Sequence, residues 1–284
     1  RFVLNYTYQF TPTNGDFTGM WNIAYSGILR ANNVINNIDG LDGDKSQIDQ
    51  LKGEALALRA LFHFDLVRYF AKQYTNSSPT SDLGVPIVLE AAIEEPARNT
   101  IDEVYNQVIA DLNEARGLLN VDNGLNRFSV NAVDALLARV QLYKGDYSAA
   151  EAAASNVINS GAYEITDDIV SAFAAPGSSE EIFTLFFDPS EDRGSDNMGG
   201  IYNPEIYGDI RVATDAIDLF EEGDARLGFF YDLNDETYQS KYFEQNGING
   251  LHSPKILRIS EMYLIRAEAR AQQGNGTGAA EDLN

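Results

Sequence analysis

Apolar residues that recur every three or four positions dominate the first half of this chain. The clearest segment covers residues 48–70. Such spacing places side chains on one face of an α-helix, and a pattern of this length is too regular for a strand. The segment therefore predicts a long helix whose buried face carries Ile48, Leu51, Ala55, Leu58, Phe62, Leu66 and Tyr69.

Two more helices are predicted on either side of this segment. Residues 18–38 place Trp21 on an apolar face, where we expect it to pack in the core. A third helix is predicted to begin at Thr100, because a hydroxyl cap followed three residues later by Glu103 can form a capping box.

Glycines and caps mark the next two helices. A fourth helix is predicted over residues 129–144, and Gly145 ends it because glycine adopts the left-handed terminal conformation at the least cost. A fifth helix is predicted to begin at Ser148, with Glu151 as its capping partner, and to end near Gly161.

The connection between the fourth and fifth helices resembles the turn of a tetratricopeptide unit. The spacing from Ala138 to Gly145 recurs from Ala267 to Gly274, and alanines follow both glycines. Helical periodicity also returns after residue 259. These patterns predict two helix-hairpin units.

Residues 162–253 differ in character, with many glycine, asparagine, aspartate and aromatic residues between short apolar pieces. This composition indicates long loops with a few short strands or helices. The predicted fold class is therefore mainly α, with a helical-hairpin scaffold over residues 18–161 and 254–284. The variable, loop-rich region 162–253 is expected to belong to the same single domain, residues 1–284.

Charge narrows the range of partners. The chain carries 43 acidic and 20 basic residues, a net charge of -23. Nucleic acid would be repelled, and anionic lipid surfaces and acidic polymers are disfavoured. Neutral small molecules, neutral glycans or another protein are the expected partners.

Several helical blocks together resemble the SusD/RagB family. They are residues 21–38 (WNIAYSGILRANNVINNI), 53–70 (GEALALRALFHFDLVRYF), 83–86 with 98–119, 127–163 (including ALLARVQLYKGDYSAAEAAASNVINSGAY) and 254–284 (including ILRISEMYLIRAEARAQQGN). The blocks cover much of the chain, and their order is more specific than any single block.

The resemblance implies a tetratricopeptide-like scaffold that presents variable loops. It implies a glycan-binding protein, not an enzyme, that captures an oligosaccharide or polysaccharide at the cell surface of the outer membrane in Bacteroidetes. The implied partner is a TonB-dependent transporter resembling SusC. The family's lipidated cysteine is absent from these 284 residues, so membrane attachment is expected only through a lipid anchor that this chain does not contain.

Candidate sugar contacts come from loop residues of suitable chemistry. Sugars bind to flat aromatic faces through their C–H groups and to amides or carboxylates through their hydroxyls. Arg59 and Arg139 lie among apolar neighbours and are expected to pair internally, for instance with Glu54 or Asp111. The candidate ligand-binding residues are Tyr8, Phe10, Asn14, Asp16, Phe17, Tyr74, Asn76, Tyr202 and Tyr207.

No catalytic, metal or cofactor residues are predicted. His63 and His252 lack the spacing of a zinc site. The acidic loop around Asp42 lacks EF-hand spacing, so a solvated loop is favoured over a calcium site. Residues 274–279 match G-x-G-x-x-A but follow a helix instead of a strand, which favours a hairpin turn over a dinucleotide site.

Two alternatives to glycan capture remain open at this point. One is a tetratricopeptide-type protein-interaction scaffold without a sugar ligand. The other, less favoured, is a glycoside hydrolase, because the two carboxylates that it needs are defined by their separation in space and not along the chain.

Overall fold

A computed structural model describes residues 6, 7, 9, 11, 14–91, 95–208 and 210–284. The chain divides into two compact units. The helical unit comprises Thr11–Ala162 and Ser260–Asn284, and the loop-rich unit is formed mainly by Tyr163–Ile259. The predicted mainly helical fold class is confirmed. That both units belong to one domain stays a prediction.

Secondary-structure elements follow one another along the chain in this order. They are α1 Gly15–Asn37, α2 Lys45–Phe70, α3 Ile101–Leu118, α4 Val130–Lys144, α5 Tyr147–Asn159, α6 Ser171–Ala174, β1 Glu181–Thr184, α7 Met198–Tyr202, α8 Thr214–Ile217, β2 Phe230–Leu233, β3 Glu236–Gln239, β4 Glu244–Gln245, β5 Ile248–Asn249, β6 Lys255–Arg258, α9 Ile259–Gln272 and α10 Gly276–Leu283.

Most helix ends follow the predicted chemistry. The backbone N–H of Glu103 donates to the Thr100 hydroxyl at 3.2 Å, and the Thr100 N–H donates to the Glu103 carboxylate at 2.8 Å, which confirms the capping box of α3. Gly145 ends α4 with φ 80°, in the left-handed region. These local contacts satisfy backbone groups that a helix end would otherwise leave unpaired.

The predicted start of the fifth helix was wrong. Asp146, not Ser148, caps α5, and its carboxylate accepts the N–H of Ala149 at 3.1 Å. Glu151 instead lies 2.9 Å from the guanidinium of Arg270, on α9. A carboxylate can cap a helix as well as a hydroxyl can, so the local sequence offered two equivalent starts.

The predicted buried face of α2 was wrong in part. Leu51, Leu58 and Tyr69 are 46%, 36% and 58% exposed. The helix contacts both α1 and α3, so its buried band is broader and is centred on small residues such as Ala57 and Ala60. A pattern built from large apolar side chains cannot identify a face on which two neighbouring helices approach closely.

One buried ion pair joins the first three helices. Arg59 is 6% exposed, and its Nε and Nη2 atoms lie 2.8 and 2.7 Å from the two carboxylate oxygens of Asp111. Its Nη1 donates to the side-chain oxygen of Asn32, on α1, at 2.9 Å. The predicted pairing of Arg59 with Asp111 is therefore confirmed.

Glu54 and Arg139 were also predicted to take part in internal ion pairs, and both do so with partners other than those predicted. Glu54 pairs with Arg127 at 2.9 Å. Arg139 pairs with Glu261 at 2.5 Å, which links α4 to α9.

Trp21 is only partly buried, and it packs edge-on against Phe70 with ring centroids 4.9 Å apart.

The two helix hairpins are present. α4 and α5 form one, and α9 and α10 form the other, with the turn at Gly274 (φ 83°). Asn275 caps α10 by accepting the N–H of Gly278 at 3.0 Å. The G-x-G-x-x-A sequence is therefore a hairpin turn, as predicted. Asp282 accepts hydrogen bonds from Arg266 and Arg270 across the second hairpin.

Short antiparallel strand pairs organise the loop-rich unit. β1 pairs with β6, β2 with β3, and β4 with β5. Asn234 (φ 53°) and Asp235 (φ 62°) turn the β2–β3 hairpin, and Asn246 (φ 54°) with Gly247 (φ 76°) turns the β4–β5 hairpin. Positive φ at both central residues matches the twist of the flanking strands.

Within the described ranges, no helix is both long enough and apolar enough to cross a bilayer.

Replacing Arg59 alone should destabilise the helical unit more than replacing the whole pair. We expect Arg59→Leu to lower the free energy of unfolding by about 3 to 5 kcal/mol, because Asp111 is left charged and buried. The double variant Arg59→Leu/Asp111→Leu should show a clearly smaller decrease in the free energy of unfolding, because no buried charge is left without a partner. Urea unfolding followed by circular dichroism measures both, with Arg127→Leu as a control that removes a more exposed pair. Additive losses in the double variant would contradict this account.

Candidate functional site

A cleft of about 560 Å³ opens within the loop-rich unit. Four aromatic residues line it, namely Phe173, Phe229, Tyr231 and Phe243. Six residues with polar or charged side chains also line it, namely Asn203, Glu205, Ser240, Lys241, Glu244 and Asn249. This combination of rings and convergent polar groups makes the cleft the candidate site.

The aromatic residues form a buried base and a more accessible wall. Phe173 and Phe229 are buried and pack edge to face with centroids 5.8 Å apart. Tyr231 and Phe243 are only partly buried and meet at 88°, 5.4 Å apart. Because β2 carries Tyr231 and the segment before β4 carries Phe243, the two hairpins fix both rings.

A closed set of hydrogen bonds orients the polar side of the cleft. The amide of Asn203 donates to the side-chain oxygen of Asn249. The amide of Asn249 donates to the carboxylate of Glu205 at 3.2 Å, and the N–H of Glu205 donates to the side-chain oxygen of Asn203 at 2.9 Å. Asn203 is buried, whereas Glu205 and Asn249 are exposed. The exposed pair can therefore offer acceptors and donors to a ligand.

A close backbone approach brings these polar residues together. A Cβ on Gly199 would collide with the carbonyl group of Gly250. Gly199 lies in α7, just before Asn203, and Gly250 directly follows Asn249. Only glycine allows the two segments to approach this closely, so the glycines set the spacing of the two asparagines.

Lys241 supplies the cationic group of the cleft. Its Nζ lies 4.3 Å from the ring centroid of Phe173 and 5.7 Å from that of Phe229. Burial, with a smaller contribution from the like charge of Arg258, lowers the pKa of the Lys241 ammonium. The ammonium is thus held against aromatic faces, which attract cations.

Two residues predicted from the sequence lie in the same unit but do not line the cleft. Tyr202 is partly buried and packs against Tyr242 with centroids 5.3 Å apart. Tyr207 is exposed, and its hydroxyl accepts a hydrogen bond from Ser195 at 3.0 Å. Tyr202 directly precedes the cleft residue Asn203.

The first group of described candidates, Asn14, Asp16 and Phe17, lies at the start of α1 in the helical unit. Asn14 caps the helix by accepting the N–H of Asp16 at 2.9 Å. Phe17 packs edge-on against Phe70 at 6.4 Å between centroids. Tyr8 and Phe10 lie outside the described residues.

The second group follows α2 in a single 3-10 turn. The Tyr74 hydroxyl donates to Asp102 at 2.6 Å, and its ring packs against Tyr105 with centroids 4.9 Å apart. Asn76 is exposed, and its amide donates to Gln73 at 2.9 Å. These contacts give Tyr74 a structural role, and a role in ligand binding stays a prediction for both groups.

Comparison with known proteins places this architecture in a family. A SusD-like family model, described as starch-binding and associating with the outer membrane, matches residues 2–142. A solved structure from Bacteroides vulgatus, 32% identical, superposes with a TM-score of 0.92 over 100% of this chain and 67% of its own. The chain belongs to the SusD-like family.

Other relatives agree with this assignment. SusD-like protein P38 of Formosa agariphila is 26% identical over 96% of this chain and 63% of its own length. A solved SusD-like carbohydrate binding protein from Bacteroides vulgatus is 27% identical over 93% of this chain and 60% of its own, with a TM-score of 0.81. This SusD-like chain therefore spans about two thirds or less of the length of these relatives.

Sequence reasoning missed the residues that line the cleft in this SusD-like chain. Phe173, Tyr231, Lys241 and Phe243 belong to the loop-rich region, where no helical periodicity guides assignment. One usable signal was present, because Asn246-Gly247 is a strong sign of a two-residue hairpin. It would have placed a strand directly after Phe243.

Both histidines are buried and neutral in the folded protein. His252 is 2% exposed, packs 5.0 Å from the Tyr242 ring, and finds no hydrogen-bond partner for either ring nitrogen among the described residues. His63 accepts the N–H of Val88 at Nε2 and lies 3.0 Å from the Arg59 carbonyl through Nδ1. Burial lowers the pKa of each imidazole to about 4.

In the described part of the chain, no three His, Cys, Asp or Glu side chains are arranged to hold a metal ion. Asp44 caps α2, and Asp39 pairs with Lys52 at 2.6 Å. These contacts give two carboxylates of the acidic loop a structural role.

Stability should fall as the pH drops from about 6.5 towards 4. The unfolded chain binds protons on His63 and His252 in this range, whereas the folded chain does not, so acid favours unfolding by up to about 3 kcal/mol per histidine. The variant His252→Phe should lose about that much of the pH dependence, because its ring fills the same buried site without titrating. Urea unfolding at pH 7, 5.5 and 4 measures this. If the free energy of unfolding depends on pH in the same way for His252→Phe and the unchanged chain, the lowered pKa of His252 is contradicted.

Proposed function

We propose that this chain captures an oligosaccharide, or a segment of a polysaccharide, in the cleft of the loop-rich unit and releases it without breaking a bond. The observation that carries the proposal is the pairing of accessible rings with a preorganised polar edge in one open cleft. Tyr231 and Phe243 offer aromatic surface, and Asn249 with Glu205 offers donors and acceptors. Family membership supports the same function.

The geometry favours a chain of sugars over a single one. A sugar ring that rests on Tyr231 gains a modest contact, and each hydroxyl exchanges water for a hydrogen bond of similar strength. Useful affinity therefore requires several adjacent sugars that engage the cleft at once. Because the net charge is -23, an extended polyanion is disfavoured and a mainly neutral glycan is the proposed partner.

We propose further that the full-length protein is exposed on the outer membrane, attached by a lipid anchor, and delivers its glycan to a SusC-like TonB-dependent transporter. The support is the family description, which includes association with the outer membrane. The relatives named above come from Formosa agariphila and from Bacteroides vulgatus. Nucleic acid is not a proposed partner.

Replacing residues of the cleft should weaken glycan binding. In affinity electrophoresis against a panel of neutral polysaccharides, we expect Tyr231→Ala and Asn249→Ala each to lower the affinity for the retarding glycan about ten-fold, which corresponds to about 1.4 kcal/mol. Tyr69→Ala is the matched control, because Tyr69 is an exposed tyrosine that does not line the cleft.

Two results would contradict the proposal, one about the ligand and one about the site. If no glycan retards the unchanged chain, the protein-interaction scaffold becomes the better interpretation. If Phe17→Ala, Tyr74→Ala, Tyr202→Ala or Tyr207→Ala removes binding while Tyr231→Ala does not, the site moves to the residues predicted from the sequence.

A separate measurement addresses bond cleavage. Glu205 and Glu244 both line the cleft, so a pair of carboxylates is available there. We expect no release of reducing sugar from any retained glycan during prolonged incubation. Release that disappears in Glu205→Gln or Glu244→Gln would instead establish a glycoside hydrolase.

A further inference from the structure

The ammonium of Lys241 stands out among the cations of the loop-rich unit. Lys255 pairs with Glu181 at 3.1 Å, and Arg258 pairs with Glu180 at 3.0 Å. Arg211 and Arg226 also have carboxylate partners, Glu236 and Asp224. Arg193 forms no ion pair with the described residues either, but it is exposed and does not line the cleft. Lys241 lines the cleft, yet among the described residues no carboxylate forms an ion pair with it.

An unpaired cation at this position is physically costly. The side chain is partly buried against Phe173, and burial and the like charge of Arg258 both lower the pKa of its ammonium. Acidic residues outnumber basic ones by 43 to 20, so a carboxylate partner could readily have been provided. The attraction of the aromatic faces offsets only part of the lost hydration. An anion entering the cleft would supply the missing counter-charge.

The other charges of the cleft limit how many anionic groups can enter. Glu205 and Glu244 line the same cleft and would repel a second anionic group nearby. The net charge of -23 acts against a polyanion at longer range, where salt screens it over about 8 Å. These charges favour one acidic group beside Lys241 over a row of them.

We propose that Lys241 selects a largely neutral glycan segment that bears a single acidic substituent, a carboxylate or a sulfate. This inference rests on the proposed function and narrows its ligand class. The aromatic wall would hold the neutral sugar rings, and the ammonium would pair with the substituent. An ammonium recognises either anion as a point charge, so carboxylate and sulfate share one recognition chemistry.

Matched oligosaccharide pairs test the inference. One pair is xylo-oligosaccharides with and without one glucuronic acid branch, and the other is galacto-oligosaccharides with and without one sulfate. Titration calorimetry at 20 mM and 300 mM NaCl gives the ratio of acidic to neutral affinity for each pair. We expect a ratio of about ten at low salt for at least one pair, and a smaller ratio at high salt.

Variants assign the effect to Lys241. Lys241→Gln should reduce the ratio of acidic to neutral affinity to about one. Lys241→Arg should retain most of this ratio, because the positive charge remains. Arg211→Gln makes the same change in net charge outside the cleft and should keep the full ratio. Circular dichroism of each variant verifies that it is folded before titration.

The outcomes separate this inference from the proposed function. If the neutral members bind and the ratio is one in the unchanged chain, selection by Lys241 is overturned while glycan capture stands. If a high ratio persists in Lys241→Gln, another group recognises the acid and the assignment is overturned. If no member of either pair binds and no polysaccharide retards the chain, both proposals fail.

Discussion

The buried pairing of Arg59 with Asp111 constrains how the first three helices of the helical unit can pack. A guanidinium removed from water is tolerated only when its donors are satisfied, and here both carboxylate oxygens and Asn32 accept them. Because α2, α1 and α3 each contribute one of these residues, the bonds fix the three helices in one register. Small residues such as Ala57 and Ala60 allow the backbones to come close enough for the bonds to form.

The loop-rich unit is stabilised in a different way. It has few regular elements, so residues with positive φ, close glycine contacts and buried ion pairs hold its segments. The pair of Lys255 with Glu181 ties β6 to β1, while the approach of Gly199 to Gly250 places Asn203 beside Asn249. Turns and close backbone contacts thus position the segments of the loop-rich unit, as helix packing does in the helical unit. They leave other side chains available to line a cleft.

The charge distribution matters for function at two length scales. The large negative net charge acts on any approaching polymer and disfavours nucleic acid and polyanions. Within the cleft, the local arrangement dominates, since screening limits distant charges and the unpaired Lys241 lies among aromatic rings. A protein can therefore be strongly acidic overall and still present a cationic group in one cleft.

The sequence by itself determined the helices, their caps at Thr100 and Gly145, and the hairpin turn at Gly274, because each depends on contacts between residues close together along the chain. It did not determine which face of α2 is buried, since that depends on the positions of α1 and α3. It did not predict the cleft either, because the lining residues come from three separate segments, 170–174, 203–205 and 229–249, and no period relates them. Only the tertiary structure brings such residues together, because their neighbours are set by how distant segments pack.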